Sequence, residues 1–337
     1  MKKRILYIGN DLRINSFTVT YISFFSKMLR KEGYEVKTAS TRSNKALRLT
    51  EMLGLIARYK NSTDIVLIDT YGALNFYYAY LVGKACQLLD LEYIPILHGG
   101  NLPERLEKSK LFSESLFGNS KINIAPSLFL KDAFEVHGFQ NTKVIPNAIK
   151  TSNYPFKERK SFQPKLLWVR RFQERYNPVM AIEVVKILSE KYPQASLCMV
   201  GPEKDGTMKT CKKLAKHYDL DVRFTGKLKK KYWSSLSQHY DFFINTTTVD
   251  NTPISVIEAM SLGLVVVSTN VGGMPQLIHH KTDGILVEDR SAHQMAMAIQ
   301  NIVENPDSGI LLCKNAKDKV DQFDWSCVRD DWNQVLA

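Results

Sequence analysis

The chain has 337 residues, of which 44% are hydrophobic and 24% charged, with a formal net charge of +12. That length exceeds one ordinary hydrophobic core and fits two domains of about 150 residues each, and the composition is that of a globular chain, not a low-complexity or fibrous one. No apolar run approaches the ~18 residues of a membrane span, the stretch 1–4 leads into a strand and not a signal-peptide core, and the five cysteines (Cys86, Cys198, Cys211, Cys313, Cys327) have the spacing of neither a disulfide framework nor a metal site, so they read as reduced thiols in a cytoplasmic protein.

Residues 4–9 form a short apolar run ending at Gly9, and a helix with apolar residues at 3–4 spacing is expected from Val19 to Arg30, closed by Gly33. Further strands are expected at 35–40, 65–68, 93–97, 121–125 and 144–146, with helices over 47–59 and 71–89. The polar stretch 150–164, with Pro155 and Pro164, reads as a linker. The rhythm then restarts with a strand at 165–169 and a helix at 178–191. Strands follow at 196–201, 222–226, 242–244, 264–267 and 285–287, then helices at 292–303 and 308–319. Strands alternating with helices predict parallel sheets covered on both faces. The expected fold class is therefore α/β with two doubly wound, Rossmann-like domains facing a cleft, and ligands beyond the carboxyl ends of the strands. The tail carries Trp325, Val328, Trp332 and Val335 at helical spacing.

Charge is unevenly spread. Residues 1–150 carry +8 (21 basic against 13 acidic) and the remainder +4 (25 against 21), which points to an anionic partner for the first half. Residues 42–58 join Arg42, Lys45, Arg48 and Arg58 to an apolar face of Leu49, Met52, Leu53 and Ile56. That is the pattern of a helix in a membrane interface, or of a core helix with a solvated edge. No nucleic-acid motif accompanies the charge, so nucleic acid is not an expected partner.

The most informative stretch is 250–263. Asp250 and Glu258 lie eight positions apart, the first in a loop after the apolar run 240–245, the second in a short helix that Pro253 can open and Gly263 can close. A strand–loop–helix unit aims free backbone N–H groups and the positive end of a helix dipole at the loop, an anion site suited to phosphate. Carboxylates at these two places can accept hydrogen bonds from sugar hydroxyls on either side of that phosphate. No GxGxxG or Walker loop is present, and no DxD pair fits a metal-held sugar nucleotide.

This D-x7-E segment resembles the E-x7-E region of retaining glycosyltransferases of the GT-B fold, specifically glycosyltransferase family 4. Other segments match in order. Ala125-Pro-Ser127 and 144–149 are similar to the family's serine-bearing strand end and its IPNGID element, with Ala148 in place of glycine and Lys150 in place of the acid. Residues 167–172 are similar to FVGR, with Arg171 as the phosphate-binding arginine and Arg170 in place of glycine. The family's lysine five positions later is Tyr176 here, with Arg175 beside it as a substitute cation.

The resemblance implies an N-terminal acceptor-side domain over 1–155, a nucleotide-sugar domain over 165–315 and a terminal helix, 316–337, returning to the first domain. It implies His98, Asp250, Glu258 and Arg171 at the catalytic centre, with Asp250 near the donor sugar and Glu258 on the ribose. Donor contacts would come from Gly9, Asn10, Arg175, Gly201, Gly226, Leu228, Thr252, Pro253, Ile254 and Ser255, and acceptor-side contacts from Gly99, Gly100 and Asn101. The expected reaction transfers a sugar, with retention and without a metal or other cofactor, from a UDP- or GDP-sugar to a saccharide or lipid-linked acceptor. Bacterial surface polysaccharide or lipopolysaccharide synthesis at the inner face of the cell membrane, with peripheral contact to anionic lipid, is the expected setting. A GT-B sugar-nucleotide epimerase and a catalytically silent sugar-nucleotide or glycan-binding module are the alternatives.

Overall fold

The computed structural model of the chain describes residues 2–10, 20–40, 42 and 44–337. Val19, expected to open the first helix, and the loop 11–16 lie outside the described residues. The chain divides into two compact units: Met1–Ala148 with Val328–Ala337, and Ile149–Cys327.

The first unit holds a six-stranded sheet of β1 (Arg4–Ile8), β2 (Glu35–Ala39), β3 (Ile65–Tyr71), β4 (Tyr93–His98), β5 (Asn123–Ala125) and β6 (Thr142–Val144). Every pairing is parallel, in the order β2-β1-β3-β4-β5-β6. Its helices are α1 (Tyr21–Lys31), α2 (Lys45–Tyr59), α3 (Asn75–Leu88), α4 (Leu102–Lys108), α5 (Lys110–Phe117) and α6 (Leu128–Val136). β3 and β4 are buried almost throughout, as a parallel sheet covered on both faces requires.

One sequence expectation changes here and one open reading is decided. Tyr71 ends β3 and does not open a helix; α3 starts four residues later, after Gly72 makes a turn so close to Asn101 that a Cβ there would sit 2.6 Å from the Asn101 carbonyl oxygen. The apolar face of α2 packs inward, with Met52 and Ile56 in the core and Leu53 against it. Of the two readings of 42–58, the core helix is the one the fold adopts.

The second unit repeats the plan with β7 (Lys165–Val169), β8 (Ser196–Val200), β9 (Asp221–Gly226), β10 (Phe242–Asn245), β11 (Val265–Thr269) and β12 (Ile285–Val287). These are again parallel, in the order β12-β11-β10-β7-β8-β9. Its helices are α7 (Pro178–Lys191), α8 (Thr207–His217), α9 (Lys230–Leu236), α10 (Ile254–Ser261), α11 (Met274–Leu277), α12 (Ala292–Glu304) and α13 (Pro306–Val320). α7 begins where its sequence dictates: Asn177 takes a left-handed conformation and accepts from the Met180 N–H, and Pro178 fills the first turn.

The stretch 150–164 is not a free linker but part of the second unit. Arg159 is buried in an ion pair with Asp241 (3.1 Å), and its Nη1 donates to the carbonyls of Leu262 (3.2 Å) and Gly263 (2.5 Å). Phe162 enters the core. Residues 316–327 also belong to this unit. α13 ends at Val320, and α14 (Trp325–Leu336) follows. Within the first unit, Trp332 of α14 packs on Phe25 with ring centres 4.4 Å apart, and Tyr34 donates to Asn333 at 3.0 Å.

In each sheet the strand order reverses once, between β1 and β3 and between β7 and β10. The loops beyond the carboxyl ends of those strand pairs bound a crevice where doubly wound sheets take ligands.

Candidate functional site

In the second unit, β7 runs into Arg170 and Arg171 at the switch point, and β10 runs into Asn245 and the loop that carries Asp250. Asp250 Oδ1 accepts from the Asn251 N–H at 2.9 Å, and Oδ2 accepts from Arg170 Nη2 at 2.5 Å. Arg170 Nε and Nη2 each lie 3.4 Å from Asn245 Oδ1, and its guanidinium carbon lies 5.1 Å from the centre of the Tyr176 ring. The Asp250 turn is held from below by the loop after β11. The Gly273 N–H donates to the Asp250 carbonyl at 3.1 Å, and a Cβ on Gly272, whose φ is +53°, would fall on that carbonyl oxygen. Only glycine combines this backbone conformation with so close an approach.

α10 starts at Pro253, which supplies no side-chain cap. Helix geometry leaves the first N–H groups, those of Ile254 and Ser255, without an intrahelical partner. Ser255 Oγ is also buried with no hydrogen-bond partner among the described residues, an unmet polar atom in the first turn where an oxyanion would be received. Thr252 and Asn251 are buried beside it.

Glu258 is only 3% exposed. Its Oε1 accepts from the Tyr154 hydroxyl at 2.5 Å and from Lys230 Nζ. Burial, and then the adjacent carboxylate, push the Tyr154 phenol far above its ordinary range, so it stays a donor. Gly201 and Gly226 meet at the ends of β8 and β9, where the Gly201 N–H donates to the Gly226 carbonyl at 2.9 Å, and Leu228 packs against the core cluster that α10 also enters.

Arg171 is exposed and makes no hydrogen bond or ion pair with a described residue. Arg175 takes part through its backbone carbonyl, which accepts from the Thr248 N–H at 2.9 Å. Of the expected donor-side residues, Asp250, Thr252, Pro253, Ile254 and Ser255 thus share one turn, Glu258 stands on the helix behind it, and Arg171 is left without a partner. Arg170, Tyr154 and Lys230 were not among the expected site residues. Nothing in the local sequence marks Tyr154 or Lys230, and Arg170 stands out only as a departure from the family's glycine, because each reaches its partner across 28 to 104 residues of chain.

In the first unit His98 ends β4, opposite Tyr71 in register. Its Nε2 lies 2.9 Å from Asp69 Oδ1, which also accepts from the Tyr7 hydroxyl at 2.7 Å. The Tyr71 ring stacks on the imidazole at 4.9 Å, and the Tyr21 ring meets it edge-on at 5.4 Å. Gly9 allows this packing, since a Cβ there would collide with the Asp69 carboxylate. Burial, then the Asp69 charge, keep the Tyr7 phenol protonated far above its usual range. Asn10 is fixed by Arg48, whose Nη1 donates to its Oδ1 at 2.9 Å. Gly9, Asn10, Asp69, Tyr71, Asn75 and Tyr78 line a small cavity at this sheet's switch point. Gly99 turns with φ +91° into Gly100 and Asn101, which leads into α4. Asp69 is the residue missed here; it falls between the strand expected at 65–68 and the helix expected at 71–89, whereas β3 runs on through it to Tyr71.

Among the described residues no three His, Cys, Asp or Glu side chains come together as a metal-ligand set. No described helix is long and apolar enough to cross a membrane.

Residues 151–319 match the family model described as glycosyl transferases group 1. An uncharacterized glycosyltransferase of Haemophilus influenzae is 26% identical over 161 residues, 46% of this chain and 44% of that protein. The amylovoran biosynthesis glycosyltransferase AmsK of Erwinia amylovora is 23% identical over 259 residues, 71% and 61% of the two chains. The chain spans less than half the length of the first curated relatives it matches. Among solved structures, Anabaena HepE in complex with UDP-glucose superposes with a TM-score of 0.82 at 17% identity, covering 99% of both chains. That likeness carries the fold, which is GT-B.

Proposed function

The chain belongs to the glycosyl transferases group 1 family, and from that premise we propose that it transfers a glycosyl group from a nucleoside diphosphate sugar to an acceptor hydroxyl. One observation carries this reading: Asp250 and Glu258 flank the uncapped start of α10 at a sheet switch point, with Ser255 Oγ buried and unpartnered between them. The first-turn N–H groups, the Ser255 hydroxyl and the unpaired Arg171 suit a diphosphate and stabilise the charge that develops on it as it leaves. The uncapped helix and the cations make a divalent ion unnecessary in this scheme.

Glu258 Oε2, with no partner among the described residues, accepts from the ribose hydroxyls, while Tyr154 and Lys230 hold Oε1 and fix the carboxylate. Asp250 receives a hydroxyl of the donor sugar. In the other unit, Asp69 engages Nε2 of His98, so Nδ1 is the nitrogen left for the transferred sugar. Among the described residues no side chain is set up as a covalent nucleophile, which favours transfer on the face of the leaving phosphate, with retention, the phosphate oxygen taking the acceptor's proton.

HepE's complex with UDP-glucose supports a UDP-sugar as the first donor to try, and AmsK's role in amylovoran biosynthesis supports a saccharide or lipid-linked acceptor in surface polysaccharide synthesis. The +8 charge of residues 1–150 supports peripheral work on an anionic membrane face. The test is to supply UDP-, GDP- and ADP-sugars with saccharide and lipid-linked acceptors, following nucleoside diphosphate release and the anomeric proton coupling of the product. Acceptor-dependent release with the donor's anomeric configuration retained is expected. A free epimer formed without acceptor would make the chain an epimerase, and binding without turnover would make it a binding module.

A further inference from the structure

Arg170 stands where the family resemblance has a glycine, and Tyr176 stands where it has a lysine. In the folded chain these two departures touch. The Arg170 backbone is pinned: its N–H donates to the Val200 carbonyl at 3.0 Å, and a Cβ on Gly201 would fall on its own carbonyl. Its side chain, 14% exposed, turns into the crevice between β7 and β10. There Nη2 reaches Asp250 Oδ2 at 2.5 Å, and the guanidinium sits 5.1 Å from the Tyr176 ring centre.

A guanidinium offers five N–H groups in a rigid fork. Asp250 and Asn245 engage Nη2 and Nε, but the two N–H groups on Nη1 have no acceptor among the described residues. A positive group largely withdrawn from water, oriented by a carboxylate and an aromatic face, with one edge of its fork unmet, is a ready receiver for an oxyanion. Neither neighbouring arginine is prepared in this way. Arg171 is exposed, and Arg175 is engaged only through its backbone.

We propose that Arg170 binds a phosphate of the nucleoside diphosphate donor, carrying from β7 the charge that Tyr176 lacks, with the Tyr176 ring as the platform that holds it. The inference rests on the reading of the second unit as a donor site. Asp250 then has two functions: it orients Arg170 through Oδ2 and meets the donor sugar.

The experiment titrates the whole chain by calorimetry with UDP, GDP and ADP, then with the nucleoside of whichever diphosphate binds, and repeats this for Arg170→Gly, Tyr176→Lys and the double variant. Arg170→Gly is expected to lose about tenfold or more in diphosphate affinity with nucleoside affinity unchanged, and the double variant to recover most of the loss. Diphosphate affinity unchanged in Arg170→Gly overturns the proposal while the donor-site reading stands. Equal weakening of diphosphate and nucleoside also overturns it, because Arg170 then acts only by holding Asp250 in place. No recovery in the double variant refutes the relocation of charge. If Arg170→Gly does not fold, Arg170→Gln, which keeps the stem and two N–H donors, takes its place with the same expected loss. If the wild type binds none of the three diphosphates, the donor-site reading and this inference fall together.

Discussion

Replacing Glu258 with glutamine is the sharpest perturbation of the donor site. The carboxylate is buried and already receives Tyr154 and Lys230 on Oε1, so the variant keeps the side chain's shape and leaves an acceptor for the Tyr154 hydroxyl. The Lys230 side chain is 38% exposed, so the lost ion pair is screened and costs folding less than about 1 kcal/mol. Ligand binding loses more. A hydrogen bond to a charged acceptor contributes about 1.5–3 kcal/mol against about 0.5–1.5 for a neutral one. Two ribose hydroxyls on Oε2 therefore place the loss at about 1–3 kcal/mol, or roughly 5- to 150-fold in affinity. Calorimetry with the nucleoside diphosphate and its 2′,3′-dideoxy analogue, on wild type and Glu258→Gln, isolates the contact. Removing the hydroxyls should weaken the wild type and have little further effect on the variant. If the two losses simply add, Glu258 does not hold the ribose and the assignment is wrong.

Three other outcomes follow from the geometry. Gly272→Ala, which drives a Cβ into the Asp250 carbonyl at φ +53°, should destabilise the chain by about 1–3 kcal/mol in urea denaturation and abolish diphosphate binding; wild-type affinity would show that the Asp250 turn does not form the site. Asp69→Asn should slow sugar transfer with donor affinity intact, because it loosens His98 while leaving the second unit untouched; an unchanged rate would remove His98's orientation from the mechanism. Burial pushes the thiols of Cys86, Cys211 and Cys313 up to about 12, and Cys198 is also raised and buried. A thiol reagent at pH 8 should therefore titrate only Cys327 of the five in the native chain, and all five after denaturation; rapid reaction of a second thiol would contradict the packing.

The sequence is most readable where local chemistry decides the structure. Asn177-Pro178 starts α7 at the expected residue, and Gly263 ends α10 with φ +72°. The alternation of buried strands with amphipathic helices identifies both sheets. α8 and α9 were not anticipated because both are rich in lysine: α8 buries only Cys211 and Ala215, and α9 is just seven residues long. The stretch 150–164 looked like a linker because its prolines and charges hide what Arg159 does, which depends on carbonyls about a hundred residues away. The candidate site divides along the same line. The 250–258 turn is contiguous, so its spacing could be recognised. Arg170, Tyr154, Lys230 and Asp69 owe their places to the strand order of the sheets and the packing of distant loops, which no local pattern records.

The most direct test of the central claim, that the start of α10 with its two acids receives a nucleoside diphosphate, is thermal unfolding of the whole chain with UDP, GDP, ADP and their nucleosides. A ligand held only by the folded state raises the melting temperature with its occupancy. A saturable rise is expected for one diphosphate, a much smaller one for its nucleoside, and loss of the rise in Glu258→Ala. No rise with any diphosphate, or the same rise in Glu258→Ala, would contradict it.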